Sequence, residues 1–474
     1  MKKLIIFIGM VAMTACSKDI TNLNDDPKNP TDVPSYTLFS NAEKNLADIM
    51  TTPSVNRNIF RLVSQQWAQT TYTDESRYDL GTRNIPQTFW NTLYRDVLGD
   101  LQEAKRLILI DGSYDDPKEQ RNELAIADIL QVYTFSVLVG TFGDVPYSQA
   151  LDYTVGAPEY DKQDAVVADL FLRLDSSIAA LDGASGSYDD VDLIYGGDVN
   201  AWKKFANSLK LRLGIMIVDA DAQKAKTVIE AAAAGAFSSN ADNAVFDFLP
   251  TPPNTNPVWV ELIQSNRNDF VAANTIIDIM NARNDPRREF YFSAVGADYV
   301  GGIYGSGNSY DSYSHASDKI VDPAFEGLLL DFAEVEFIRA EAVERGFNVG
   351  GTAAAHYNSA ITASVTYWGG TDAAAATYLL QPNVAYATAA GDYKVKIAVQ
   401  KWLAYYNRGF EAWTEWRRLD APVFNVPSGL TAADIPLRYT YPVTEQNINT
   451  LNYDKASVSV GSDKVGVKLF WDKF

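Results

Sequence analysis

Two stretches carry residue types that could hold a ligand. "GADYVGGIYGSGNSYDSYSH", residues 296–315, sets Tyr299, Tyr304, Tyr310 and Tyr313 around seven glycines and serines within 301–312. A segment so rich in glycine and serine cannot bury four tyrosines in a regular element, so a loop with aromatic rings is expected. "TYTDESRYDL", 71–80, places Tyr72 and Tyr78 beside Asp74, Glu75 and Arg77. An aromatic face takes apolar area out of water, while carboxylate and guanidinium groups fix orientation. The same residues also fit plainer roles: tyrosines folded down over a scaffold, and a solvated helix end with ordinary surface charges. Trp67 and Trp90 lie on helical patterns and are expected in the core.

Covalent and metal chemistry find few parts. The only histidines are His315 and His356, and His356 sits in an alanine-rich helical stretch. A histidine metal site or a Ser-His-Asp triad therefore lacks members. "GGIYGSG" has neither the Lys-Ser/Thr ending nor the strand–helix frame of a phosphate loop. Asn22, Asn24 and Asp26 alternate like a calcium loop, but Pro27 takes the glycine position and Val33 the glutamate position. No metal or cofactor is expected. Hydrolysis by two carboxylates about 5–10 Å apart stays open, because 60 acids make a chance pair easy.

The one cysteine, Cys16, has a more specific setting. Lys2 and Lys3 precede the apolar run Leu4–Met13, and Ala15 precedes the cysteine. That run is shorter than the roughly 20 residues of a membrane-spanning helix and fits the core of a secretory signal. Met13-Thr14-Ala15-Cys16 resembles a bacterial lipobox, with Met13 where leucine is usual. The cysteine would then carry lipid and become the mature N-terminus, anchoring the protein through several acyl chains. Ser17-Lys18-Asp19 resembles a surface-export signal, with Ile20 in place of a second acid.

Formal charge is −20, and loss of Lys2 and Lys3 leaves 38 bases against 60 acids, or −22. So acidic a surface repels phosphate backbones and anionic headgroups, which excludes nucleic acid as a partner. A hydrophobic content of 47% is ample for a large core. No stretch after the leader is expected to reach membrane-spanning length.

The elements that must position these residues read as overwhelmingly helical. In "DVNAWKKFANSLKLRLGIMIVD", Asp198 is a predicted N-cap, and Trp202, Phe205, Leu209 and Leu213 share one face. "FWNTLYRDVLGDLQEAKRLILI" repeats the device with Phe89, Leu93, Val97, Leu101, Ala104 and Ile108. "ELAIADILQVYTFSVLVG" follows, with Gly140 as its predicted end. Gly346 and Gly369 are the predicted ends of a later helix pair. Ala340, Ala342, Ala353, Ala354, Ala355, Ala360 and Ala363 are small where those two helices would approach. The predicted fold class is all-α, with tetratricopeptide-like helix pairs scaffolding an irregular, loop-rich region. Segments 141–162, 236–270 and 291–324 are irregular, aromatic and too long for idle loops.

These segments together resemble the SusD/RagB family of outer-membrane nutrient-binding lipoproteins, in particular its SusD-like subgroup. The match runs through the lipobox, "LNDDPKNPTDVP" at 23–34, "VYTFSVLVGTFGDVPYSQAL" at 132–151 and "WKKFANSLKLRLGI" at 202–215. It continues through "NDPRREFYF" at 284–292, "LLLDFAEVEFIRAEAVERG" at 328–346, "QKWLAYYNRGFEAWTEWRR" at 400–418 and "RYTYPVTEQNIN" at 438–449. The resemblance implies one large helical domain and no enzyme activity. It implies a lid on a partner TonB-dependent (SusC-like) outer-membrane barrel that captures oligosaccharides, or peptides, and passes them in. It also implies ligand contacts in a variable loop near 296–315, so Tyr299, Tyr304, Tyr310 and Tyr313 are the candidates, with Tyr72, Arg77 and Tyr78 second. Trp413, Trp416 and Arg417 match a scaffold segment. The expected organisation is a signal peptide at 1–15, a lipidated tether at 16–36 and a single domain at 37–474. A surface glycoside hydrolase and a non-catalytic assembly lipoprotein are the alternatives.

Overall fold

The computed structural model describes residues 33–474; the leader, Cys16 and most of the tether lie outside that range. The first helix, α1 (Ser35–Thr51), leads to the short strand β1 (Trp67–Gln69). Helix α2 (Ile85–Asn91) runs through a wide π turn at Thr92–Leu98 into α3 (Gly99–Ile110), and α4 (Pro117–Phe142) follows. Strands β2 (Val145–Pro146) and β3 (Tyr160–Asp161) form a minimal ribbon before α5 (Gln163–Ala180), α6 (Val199–Met216) and α7 (Ala222–Ala232). Strands β4 (Ala244–Phe246) and β5 (Phe270–Ala272), helix α8 (Asn274–Asn281) and strand β6 (Gly327–Leu330) occupy the irregular middle. The main helices that follow are α9 (Phe332–Glu344), α10 (Ala353–Trp368), α11 (Asp372–Leu379), α12 (Tyr393–Ala404), α13 (Gly409–Leu419) and α14 (Thr450–Ser459).

The helices pack in sequence order: α3 on α4, α4 on α5, α5 on α6, then α6 on α9, α9 on α10 and α12 on α13. This is the expected helical class, built from consecutive helix pairs. The periodic residues face inward as their spacing requires: Trp202, Phe205, Leu209 and Leu213 are buried, as are Phe89 through Ile108 on the earlier face. Asp198 caps α6 by accepting from the backbone N–H groups of Asn200 and Ala201. Gly369 ends α10 in the left-handed region, φ +112°.

Three expectations need correction. Helix α4 does not stop at Gly140; it continues to Phe142 and turns at Gly143, φ +87°. Gly140 is small because the Phe410 ring crosses there, only 3.1 Å from where a Cβ would stand. Helix α4 is also long and apolar enough to cross a membrane, against the expectation that no later stretch would be. It is instead the buried central helix of the scaffold, flanked by α3 and α5. Finally, Ala355 faces solvent and Ala354 is half-buried, whereas Ala340, Ala342, Ala353, Ala360 and Ala363 are buried as their small size suggested.

One apolar cluster contains residues from Phe39 to Trp471, and a smaller one joins α9 to α12 around Tyr357 and Tyr378. Charges are buried alongside. Arg418 on α13 pairs with Glu341 on α9 at 2.5 Å and with Glu415 at 2.7 Å, and Lys401 on α12 reaches Glu415 at 3.0 Å. Arg345, just past α9, bridges Glu341 to Asp219. Burial drives the Glu341 carboxyl up, but Arg418, Arg345 and Lys401 outweigh it and hold it at about 2. A second cluster ties Arg212 of α6 and Arg408 to Glu334.

Candidate ligand-binding site

A two-stranded ribbon brings the distant segments together. Strand β1 pairs antiparallel with β5, Trp67 opposite Ala272 and Gln69 opposite Phe270. The loop 301–316 is then laid against the ribbon. Gly302 N–H donates to Ala272 O, Ala272 N–H to Ser314 O, and Asn308 N–H to Thr70 O, at 2.7–2.8 Å. The Asn308 side chain is the internal brace: its amide donates to Gln69 O at 2.9 Å and accepts from Ile303 N–H at 2.8 Å. Gly301 allows the close approach, because a Cβ there would stand 2.4 Å from the Asn274 backbone.

This arrangement leaves an open cleft of about 220 Å³ between the loop and the 260–270 segment. Trp67, Phe270 and Val271 form its floor, Leu262 and Ile263 one wall, and Tyr310, His315 and Asp318 the other. The Trp67 and Phe270 rings lie 5.4 Å apart, and the Trp67 indole N–H is fixed on the Tyr406 hydroxyl at 3.0 Å. Tyr310 lies flat on the His315 ring, centroids 4.3 Å apart and planes 8° from parallel. His315 is held in turn by Ser293, whose hydroxyl meets its Nδ1 at 3.1 Å. The Tyr310 ring is therefore backed on one side and set in the cleft wall. Burial, with Asp311 adjacent, raises its phenol above the ordinary value, which keeps it a neutral O–H. Asn266 and Asn268 supply amides at the rim. Phe270 also borders a smaller hollow lined by Tyr72, Arg83 and Arg267, which continues the surface beyond the cleft.

The predicted residues divide. Tyr310 lines the cleft, and Tyr72 is 65% exposed beside its neighbouring hollow. Tyr313 is half-buried against the core without lining the cleft. Tyr299 lies instead near α8, with the Arg288 guanidinium 5.4 Å from its ring and Asn281 donating to its carbonyl. Tyr304 and Tyr78 are corrections: both are buried, at 3% and 8% exposure, with no ring face free for a ligand. The glycines let Tyr304 dive under the loop, where its hydroxyl donates to Leu62 O at 2.7 Å; Tyr78 accepts from Gln65 at 3.2 Å. Arg77 is a brace and not a free guanidinium, donating to Gly305 O and Ser428 O. Tyr304→Phe is accordingly expected to lose about 1 kcal/mol of stability by urea unfolding while leaving ligand affinity unchanged. A large affinity loss there would return Tyr304 to the site.

Asn266, Asn268, Leu262, Ile263 and the floor residue Trp67 were not legible as site residues. The one available signal was the polar run Gln264–Asp269 wedged between apolar residues. Trp90 is buried as expected, and Trp413, Trp416 and Arg417 are scaffold: the buried Arg417 guanidinium lies 3.4 Å from the Trp413 ring centroid.

A helix-pair scaffold that carries a shallow cleft of aromatic and amide groups has the build of a binding protein. The SusD-like family, described as "Starch-binding associating with outer membrane", matches residues 27–442, and the chain belongs to it. This places it among binding proteins and not among enzymes. No curated protein sequence matches the chain. Among solved structures, a chitin-binding SusD homologue from Flavobacterium johnsoniae is similar at 25% identity and TM-score 0.80, covering 93% of this chain and 98% of that one. A SusD homologue from Bacteroides uniformis is similar at 27% identity and TM-score 0.77, covering 94% and 100%. A SusD homologue from Bacteroides ovatus shares the fold at 24% identity and TM-score 0.79, covering 93% and 100%.

Proposed function

We propose that this chain is a lipid-anchored protein of the outer-membrane surface that captures oligosaccharides and delivers them to a TonB-dependent transporter. The observation that carries the reading is the cleft: a half-buried Tyr310 ring backed by His315, a closed apolar base, and amides at the rim. A pyranose offers C–H faces to such a ring and hydroxyls to such amides. The chitin-binding relative supports a carbohydrate over a peptide as the ligand. Capture involves no bond making. The ligand is held near the transporter mouth until the lid closes.

In this reading residues 1–15 are a cleaved signal, Cys16 carries the lipid, 16–36 form a tether and 37–474 act as one domain. The anchor raises the local concentration of binding protein at its barrel, so modest ligand affinity suffices. Cys16→Ser is expected to abolish metabolic labelling by radioactive palmitate and to release the protein from membranes. Labelled mature protein from that variant would contradict the anchor. The reading as a whole is tested by screening soluble Ser17–Phe474 against glycans and peptides, with product analysis on the same samples. Binding without cleavage is expected; cleavage would restore the hydrolase alternative.

A further inference from the structure

The cleft has a charge character of its own. Its wall carries one carboxylate, Asp318, and among the described residues its lining contains no lysine or arginine. Asp318 is exposed, and among the described residues it makes neither an ion pair nor a side-chain hydrogen bond, whereas most nearby cations are committed elsewhere. The adjacent Lys319 points away, donating to Trp368 O at 2.9 Å and lying over the Trp368 and Phe325 rings. Arg267, between the two rim asparagines, is paired with Asp269 at 2.7 Å. Arg83, in the neighbouring hollow, is paired with the buried Glu75. Asp311 adds a second exposed acid beside Tyr310, and the chain as a whole carries −20.

A saccharide bound against Tyr310 thus meets a carboxylate with no ion-pair partner and neither lysine nor arginine, His315 being the other group in the lining able to carry charge. From this we infer that Asp318 sets the charge specificity of the cleft: it admits neutral saccharides, favours those bearing a protonated amine, and disfavours those bearing carboxylate or sulfate. The inference rests on the glycan-binding reading above. Its physical basis is ordinary: an exposed pair adds a modest attraction that salt screens, and a like charge costs a similar amount with no compensating contact. The asparagines, neutral and able both to donate and to accept, serve hydroxyls or acetamides and do not alter the sign of the field.

The test uses the full-length protein in detergent and three hexamers: neutral chitohexaose, its fully deacetylated glucosamine counterpart, and hexagalacturonate. At low salt and pH 6 the deacetylated hexamer is expected to bind roughly three- to fivefold tighter than the acetylated one, and hexagalacturonate weaker by a similar factor. The preference should vanish at 0.5 M salt and in Asp318→Asn, with circular dichroism unchanged because the side chain supports no other group. Hexagalacturonate binding as tightly as chitohexaose would overturn the inference. So would an amine preference that persists in Asp318→Asn. Neutral binding with no charge preference would sink this inference and leave the glycan reading standing. If none of the three hexamers binds, both fall.

Discussion

Tyr310→Ala is expected to weaken glycan binding roughly 30-fold, a loss near 2 kcal/mol, with the fold intact. The size follows from position. Tyr310 is the tyrosine in the cleft wall, and His315 backs its ring at 4.3 Å, so the platform is preorganised and no ordering is required on binding. Its truncation removes a stacking surface and opens the wall to water. Stability should change little, because the ring is half-buried at the surface and its neighbours are held by backbone bonds of the loop. Tyr310→Phe keeps the ring and should retain most of the affinity. Isothermal titration with matched thermal melts checks both. Wild-type affinity in the alanine variant would move the binding site away from this cleft.

Glu341→Ala carries the largest expected effect on stability, a loss of about 3–5 kcal/mol. Glu341 is fully buried and accepts both guanidinium nitrogens of Arg418, at 2.7 and 2.5 Å, with Arg345 at 2.9 Å. Removing it leaves two arginines facing the core with one carboxylate fewer, and the desolvation of Arg418 is no longer offset. The pair links α9 to α13, and Asp219 and Lys401 extend it to the chain after α6 and to α12. Its loss therefore acts on the stacking of the scaffold and not on one helix. Urea unfolding of the variant against wild type measures it; a change below about 1 kcal/mol would mean that Glu415 or entering water satisfies Arg418 once Glu341 is gone.

The same cluster sets a pH dependence. Glu341 is held at about 2, against an ordinary 4.5, and Glu415 and Asp219 are lowered in the same direction by Arg418, Lys401 and Arg345 once burial is overcome. Groups depressed in the folded state give stability that is present above their unfolded values and lost as pH falls through the folded ones. The stability supplied by this cluster should therefore hold above about pH 4.5 and drain toward pH 2, and Glu341→Ala should flatten that part of the profile.

What the sequence determined by itself is the scaffold. Helical periodicity is local: Trp202, Phe205, Leu209 and Leu213 had one way to face a core, and Asp198 could cap only what followed it. The segment 328–346 was legible as a helix for the same reason, whereas 400–418 was legible as scaffold only through the family resemblance. Their pairing was not, because Glu341 and Arg418 stand 77 positions apart. The candidate cleft belongs to tertiary structure altogether. Four tyrosines in one glycine-rich loop were equivalent in sequence, yet the loop's backbone bonds to β1 and β5 turned Tyr304 under the loop and Tyr310 into the cleft wall. Asn266 and Asn268 became rim groups only because β5 pairs with β1, some two hundred residues earlier. Periodicity fixes which side of a helix is apolar. A loop has no period, so the direction of each ring is decided by the bonds its backbone finds elsewhere in the fold.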